Sequence, residues 1–295
     1  MRIGCVIDIW RYPVKSMGGE RLDSAQVGLT GLAGDRHWAV IDAEQTEIRS
    51  AKRWPALMRY NASYRDGAAP GTDDCGSQVQ PVTVTAPDGQ QLGSDQPDRD
   101  RQLSAWLGRS AVLSQRPPAS ARNHYRLARA RTEDGMAAEM GLLAGETLPD
   151  YSAVSAEVMG ALADCVTPPG VYVDAFPLHL LSRNTLAWLA ERSGLDTDVR
   201  RFRPNLLVDI DDAGISRGED NWLGARLGIG ETVLRVDSKT VRCAIPGRPQ
   251  PLNGVSDQPA LVRALVEHCQ RCLGVNIIVE QPGLIRTGDA IRRLD

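Results

Sequence analysis

Residues 232–248 read TVLRVDSKTVRCAIPGR, an alternating, strand-like run that ends in a loop rich in proline. Pro246, Pro249 and Pro251 carry no amide proton, so a sheet cannot continue past this point. The run therefore predicts a strand whose end places Cys243 at the mouth of a loop. Two uses of that cysteine stay open: a small apolar residue filling a core, or a thiolate facing a cleft. Arg242 and Arg248 would lower the pKa of the thiol if their guanidinium groups approached the sulfur.

Further strands are predicted in RIGCVIDIWRYPV (2–14), HWAVIDAE (37–44), VQPVTVTAP (79–87), NLLVDI (205–210) and VNIIVEQ (275–281), separated by turns rich in Gly, Pro and Asp. Helices are fewer. SRNTLAWLAERSG should begin at Ser182 and stop at Gly194, and DRDRQLSAWLG should end at Gly108. SDQPALVRALVEHCQRC offers Ser256 or Asp257 as N-cap and Pro259 in the first turn, with Leu261, Leu265 and Cys272 on one face. Residues 65–81 have the composition of a surface loop, and 115–150 lack a steady period. The reading is mainly β (α+β), barrel-like, with a few packed helices and a domain boundary near 118: residues 1–118, then 119–295.

At 295 residues the chain is long enough for two modest domains, and a net charge of -3 gives no general attraction to nucleic acid or to an anionic membrane. No stretch approaches the roughly 18 apolar residues of a membrane span, and the N-terminus does not read as a signal peptide. The six cysteines are sparse and irregularly spaced, which suits reduced thiols in a cytoplasmic protein.

No P-loop or strand–GxGxxG–helix unit is present, and four scattered histidines make a poor metal cage. Cys269 and Cys272 form a lone CxxC, which at helical spacing fits core packing better than a zinc or redox site. The cations are more informative. Arg200, Arg201 and Arg203 precede an apolar strand and need an anionic partner or solvent. In YPVKSMGGERL, Pro13 fixes the entry, Lys15 and Ser16 supply a cation and a hydroxyl, and Gly18-Gly19 permit close backbone approach. Arg36 sits in the glycine turn GLAGDRHW.

With those segments in place the chain resembles the MOSC superfamily in its two-part form, with an N-terminal MOSC β-barrel domain. WRYPVKSMGGERL, GLAGDRHWAVID and RSAKRWPAL look like the N-terminal module. VDAFPLHLLSRNTLAWL, RRFRPNLLVD, EDNWLGARLGIGETVLRV, VRC and QPGLIRTGDAI look like the MOSC module, and their order extends over nearly the whole length. The pattern is similar to the amidoxime-reducing components and to bacterial molybdoenzymes that detoxify N-hydroxylated bases. The resemblance implies a molybdenum–molybdopterin cofactor in a cleft between two barrel-like modules, with Cys243 as metal ligand and catalytic residue. It implies cofactor binding by Lys15, Ser16, Arg36, Ser182, Thr185, Arg201, Arg203, Asn205 and Asp209. A thiolate suits molybdenum as a soft ligand, and the cofactor's phosphate gives the arginine cluster its missing partner.

Two departures stand out. Relatives follow the ligand cysteine with hydroxyl residues, whereas here AIPGRPQP follows and no hydroxyl appears before Ser256. The chain also carries no ferredoxin module with iron–sulfur cysteines, so electrons must come from a separate ferredoxin or flavoprotein. The resemblance thus implies an oxidoreductase acting on small N-oxygenated substrates. Two alternatives follow from the same residues: a sulfur carrier holding a persulfide on Cys243, or a carrier of the cofactor without catalysis.

Overall fold

The computed structural model describes residues 1–65, 80–152, 154–212 and 214–295. Most of the loop expected at 65–81, residues 66–79, lies outside the described residues. The first part of the chain contains β1 (Arg2–Arg11), β2 (Glu20–Leu22), β3 (Ser24–Gly28), β4 (Gly31–Leu32), β5 (Trp38–Asp42), β6 (Glu47–Arg49), β7 (Asn61–Tyr64), β8 (Val82–Thr85), β9 (Gln91–Gly93), α1 (Arg99–Leu107) and β10 (Ala111–Gln115). Three short helices follow, α2 (Arg122–Tyr125), α3 (Glu133–Met140) and α4 (Ala156–Asp164). The remainder forms β11 (Leu178–Ser182), α5 (Arg183–Ser193), α6 (Val199–Phe202), β12 (Leu206–Ile210), β13 (Arg226–Ile229), β14 (Thr232–Val241), α7 (Ala260–Cys269), β15 (Cys272–Gln281), β16 (Gly283–Arg286) and β17 (Ala290–Arg293).

Seven strands close a barrel in the order β1, β12, β11, β15, β14, β13, β17 and back to β1. Closure leaves the ring without an exposed edge. Within this ring the parallel pair is β11 and β12, and α5 and α6 make the crossover that it requires. The first strand of the chain is thus a stave of the barrel formed otherwise by residues 178–293, with Cys5 opposite Asp209 and Ile9 opposite Leu206. β16 pairs with β3, a second crossing between the chain's two ends.

Alternation fills the barrel. On β14, Thr232, Leu234, Val236 and Ser238 point inward and Val233, Arg235 and Asp237 are half-exposed. Leu234, Val236, Val275, Ile277, Leu206, Val208 and Ile291 share the interior cluster, each buried side chain contributing about 1.5–3 kcal/mol. The β14–β15 register shifts between Val236 and Ser238 and again between Lys239 and Val241. These bulges end the alternation and turn the last residues of the strand out of the barrel, the usual consequence of an extra residue in one strand.

The other module packs two three-stranded sheets, β6–β5–β10 and β7–β8–β9, around one apolar core that includes Trp38, Trp54, Leu57, Val84 and Leu92. Residues 14–18 tie the two sheets together through bridges from Val14 to Trp38 and from Gly18 to Asn61. A Cβ on Gly18 would lie 1.9 Å from Asn61 Oδ1, so a larger residue there would have to displace the Asn61 side chain.

Two helix ends differ from expectation. α7 stops at Cys269 because Gln270 and Arg271 adopt left-handed conformations (φ 49° and 61°), so Cys269 takes the buried helix position and Cys272 opens β15. Its N-cap is Pro259, without a side-chain cap, rather than Ser256 or Asp257. Within 115–150, where no period was legible, Thr132 caps α3 through the Gly135 amide, and Ser155 caps α4 just beyond. No helix among the described residues is long and apolar enough to cross a membrane.

Candidate cofactor cleft

Where β14 leaves the barrel it enters a cavity of about 590 Å3 lined by both halves of the chain. Lys239, Thr240, Val241, Arg242 and Cys243 form one side, and Lys15, Ser16, Arg36, Lys52, Arg203 and Asn205 also line it. The segment between the modules supplies a further wall through Leu127, Met136, Met140 and Tyr151.

Cys243 is half-buried and free of disulfide bonding. Its neighbour Arg242 does not turn toward it. Arg242 Nε donates to Leu273 O (3.0 Å), Nη1 donates to Phe202 O (2.9 Å), and Nη2 lies 2.6 Å from His179 Nε2. Burial pushes the Arg242 pKa down to about 10, with the Cys243 charge acting in the opposite sense. Burial, reinforced by Arg242 and Arg36, holds His179 well below the usual imidazole range. Arg242 is therefore a brace beneath the thiol: its donors lock the barrel strand, α6 and His179 into one geometry.

Three cleft residues share an unusual backbone. Ser16 (φ 69°), Arg36 (φ 44°) and Arg203 (φ 55°) are all left-handed although none is glycine. Such strain persists only where surrounding contacts enforce it, and it is common at functional sites. Here Ser16 Oγ accepts from the Ala51 amide (2.9 Å), Arg36 N donates to Tyr12 O (2.7 Å), and Arg203 Nη1 donates to Met17 O (2.5 Å). Both guanidinium groups lie over the Tyr12 ring, at 4.6 Å for Arg36 and 4.2 Å for Arg203. Burial and then the like charge of Arg36 push the Arg203 pKa down to about 10. Two cations are thus held side by side, with Asp35, paired to Arg36, offsetting part of their repulsion.

Asn205 is buried and aligns this pair. Its Oδ1 accepts from Arg36 Nη1 and from the His179 amide (both 3.2 Å), while Nδ2 donates to Asp35 Oδ2 (3.0 Å) and Trp10 O (3.2 Å). Lys15 is nearly sealed; its Nζ donates to Tyr172 O (2.8 Å) and pairs with Asp174, whose other oxygen lies 3.3 Å from Lys52 Nζ. Burial lowers the Lys15 pKa, and Asp174 offsets part of that. Lys52 is raised, chiefly by Asp174.

Of the remaining residues expected at the site, Ser182, Thr185 and Asp209 do not line the cavity, and Arg201 does. Ser182 caps α5: its Oγ accepts from the Thr185 amide (3.0 Å) and donates to Glu219 Oε2 (2.6 Å), which also accepts from Thr185 Oγ1 (2.7 Å). Glu219 is fully buried, and neither Ser182 nor Thr185 lines the cavity. Asp209 pairs with Arg183, also off the cavity. Arg201 borders the cavity but spends its donors on Asp196 and on the carbonyls of Pro246 (3.3 Å) and Ser256 (3.0 Å), strapping down the proline-rich loop after Cys243. Lys52, Asp174 and Tyr151 were not singled out from the sequence; Lys52 lies inside the quoted RSAKRWPAL, where the signal was available.

A mainly β protein with a barrel, a basic cleft and one thiol at its edge matches a defined family. Residues 169–292 match the MOSC domain and residues 3–116 match the MOSC N-terminal beta barrel domain, and the chain belongs to the MOSC proteins. Among relatives it is 25% identical over 320 residues to mitochondrial amidoxime-reducing component 1 of Xenopus laevis, covering 99% of this chain and 83% of that protein. It is likewise 25% identical to mitochondrial amidoxime reducing component 2 of Bos taurus, covering 99% and 84%. Among solved structures, the YUAD protein of Bacillus subtilis aligns with a TM-score of 0.43 at 13% identity, over 98% of this chain and 94% of that one. YiiM from Geobacillus stearothermophilus aligns with a TM-score of 0.32 at 18% identity, over 41% and 55%.

Proposed function

We propose that the cleft holds a molybdenum–molybdopterin cofactor and that the protein reduces N-hydroxylated substrates with electrons from a separate ferredoxin or flavoprotein. The observation that carries this reading is the meeting of Cys243 with Lys15, Ser16, Arg36 and Arg203 around one cavity. The donor set fits the group: crowded guanidinium groups suit a phosphate, and an accessible thiol suits a soft metal. When bound, the cofactor supplies a two-electron metal centre that accepts the oxygen of an N–OH group; two electrons and two protons yield the dehydroxylated amine or amidine and water.

In this reading Cys243 ligates the metal, Arg36, Arg203, Lys15 and Ser16 hold the phosphate end, and Asn205 keeps Arg36 in line. Lys52 and Tyr151 line the same cavity as Cys243. Asp174 keeps Lys52 charged, and burial keeps the Tyr151 phenol protonated, so both carry protons in that cavity. Arg201, Ser182 and Thr185 act as positioning residues, the first through the 244–256 loop and the others through Glu219. The free thiols of Cys5, Cys165, Cys269 and Cys272 fit a reducing compartment such as the cytoplasm.

The test is reduction of benzamidoxime by full-length protein from a cofactor-producing host, with a reduced viologen as donor. Wild type should turn over, and Cys243→Ala should lose at least a hundredfold in rate. A fully loaded wild-type protein that reduces no N-hydroxylated compound would overturn the reading.

A further inference from the structure

The two family matches leave residues 117–168 between them, and this stretch builds a whole wall of the cavity. Its contribution differs in chemistry from the rest. Leu127, Met136, Met140, Leu148, Met159 and Leu162 line the cavity and are apolar, with Arg131, Glu139 and Tyr151 between them, whereas Lys15, Arg36, Lys52 and Arg203 come from the rest of the chain. The charged groups at its edge are only partly occupied: Arg53 pairs with Glu139 (2.6 Å) and with Glu47 (2.7 Å), whereas Arg131 Nη2 donates to Cys165 O (3.4 Å) and its buried Nε has no partner among the described residues.

The wall is fixed to the thiol's strand by Arg271. Its Nη1 donates to Met140 O and to Arg242 O (both 3.2 Å), its Nη2 donates to Gly141 O (2.8 Å), and its guanidinium pairs with Glu146. Gly141 packs against the residue after the cysteine: a Cβ there would lie 2.6 Å from Ala244 Cβ. Apolar surface is thus held beside Cys243, where AIPGRPQP supplies no hydroxyl. Unbranched methionines give a wall that adapts to shape yet offers no strong hydrogen bond.

We infer that residues 127–162 select the substrate, and that the substrate placed against them carries an uncharged, carbon-rich body behind its N–OH group. This rests on the proposed function for the identity of the reacting group only. An apolar wall rewards each methylene it covers, whereas a carboxylate or ammonium set against its leucines and methionines loses its hydration without a partner among those side chains.

The probes are straight-chain amidoximes from acetamidoxime to octanamidoxime, together with a chain ending in carboxylate. Binding is measured by calorimetry on the full chain, in wild type and Cys243→Ser, and KM is measured with reduced viologen. The expected result is a Kd that falls about fourfold per added methylene until the wall is filled, with the carboxylate chain at least tenfold weaker than its neutral counterpart. Met136→Glu should weaken the longest chain at least tenfold and acetamidoxime less than threefold. A flat series, or tighter binding of the carboxylate chain, overturns the inference even if turnover is normal. A steep binding series without turnover supports it and contradicts the reductase reading instead.

Discussion

Lys15 and Asp174, 159 positions apart, form an ion pair that joins the two matched regions at the cleft, and Lys52 shares the same carboxylate at 3.3 Å. The two ammonium groups of Lys15 and Lys52 hold the Asp174 carboxyl well below its usual range. The unfolded chain therefore takes up this proton at a higher pH than the folded protein, so the pair's stabilisation is present above pH 4 and drains away as pH falls below it. The Asp174 side chain is 61% accessible, so water screens the pair and the effect is modest. Calorimetric melting between pH 6 and 3 should show a shallower acid limb in Asp174→Asn than in wild type. Identical limbs would contradict the pairing.

Arg36 and Arg203 both lie over Tyr12 and both line the cavity, and the charge of Arg36 helps depress Arg203. Arg203→Ala and Arg36→Ala should each weaken pterin retention by roughly 10- to 100-fold, the worth of one charge-assisted hydrogen-bonding group. Pterin fluorescence per purified chain, after matched dialysis, measures this. Unchanged retention in both variants would remove the phosphate assignment.

Arg242 supports the fold from beneath the thiol. Arg242→Ala leaves the carbonyls of Leu273 and Phe202 without their donor and should cost about 3 kcal/mol in denaturant unfolding. His179, depressed by burial and by Arg242, adds a pH signature. The unfolded imidazole binds a proton near pH 6.5 while the folded one does not, so stability falls as pH drops from 6.5 toward 5. His179→Gln should flatten that portion of the curve, checked by urea unfolding at several pH values.

Ser182 separates a structural role from a cofactor contact. As the cap of α5 and donor to Glu219, Ser182→Ala should cost about 1–2 kcal/mol in stability while changing molybdenum content per folded chain by less than a factor of two. A large loss of metal without loss of stability would place the hydroxyl on the cofactor instead.

The sequence pointed to the cleft where its residues lie in short local segments. Lys15 and Ser16 after Pro13, Arg36 in its glycine turn, Arg203 with Asn205, and Cys243 at the end of an alternating strand all meet at one cavity. Ser182 and Thr185 illustrate the limit. A hydroxyl pair opening a helix looks the same in one dimension whether it faces a ligand or a buried carboxylate, and Glu219 lies 37 positions from Ser182. Arg201 was legible as a cation needing partners, yet its partners are a carboxylate and two loop carbonyls. The wall at 127–162 left no periodic trace because its helices α3 and α4 span only 8 and 9 residues, too few turns for a sustained apolar period. The alternation of β1 was readable, but its neighbours in the barrel, β12 and β17, are far away in sequence: Gly4 pairs with Ile210 and with Ile291, 206 and 287 positions on.

The most direct test of the central claim is elemental and pterin analysis of the full chain and its Cys243→Ser variant, both purified from a host that makes the cofactor. The account predicts close to one molybdenum and one pterin per wild-type chain, and a variant that retains pterin but loses most of its metal or all of its N-reductive turnover. Wild-type protein free of molybdenum and pterin, or a variant indistinguishable from it in both metal and rate, would contradict the account.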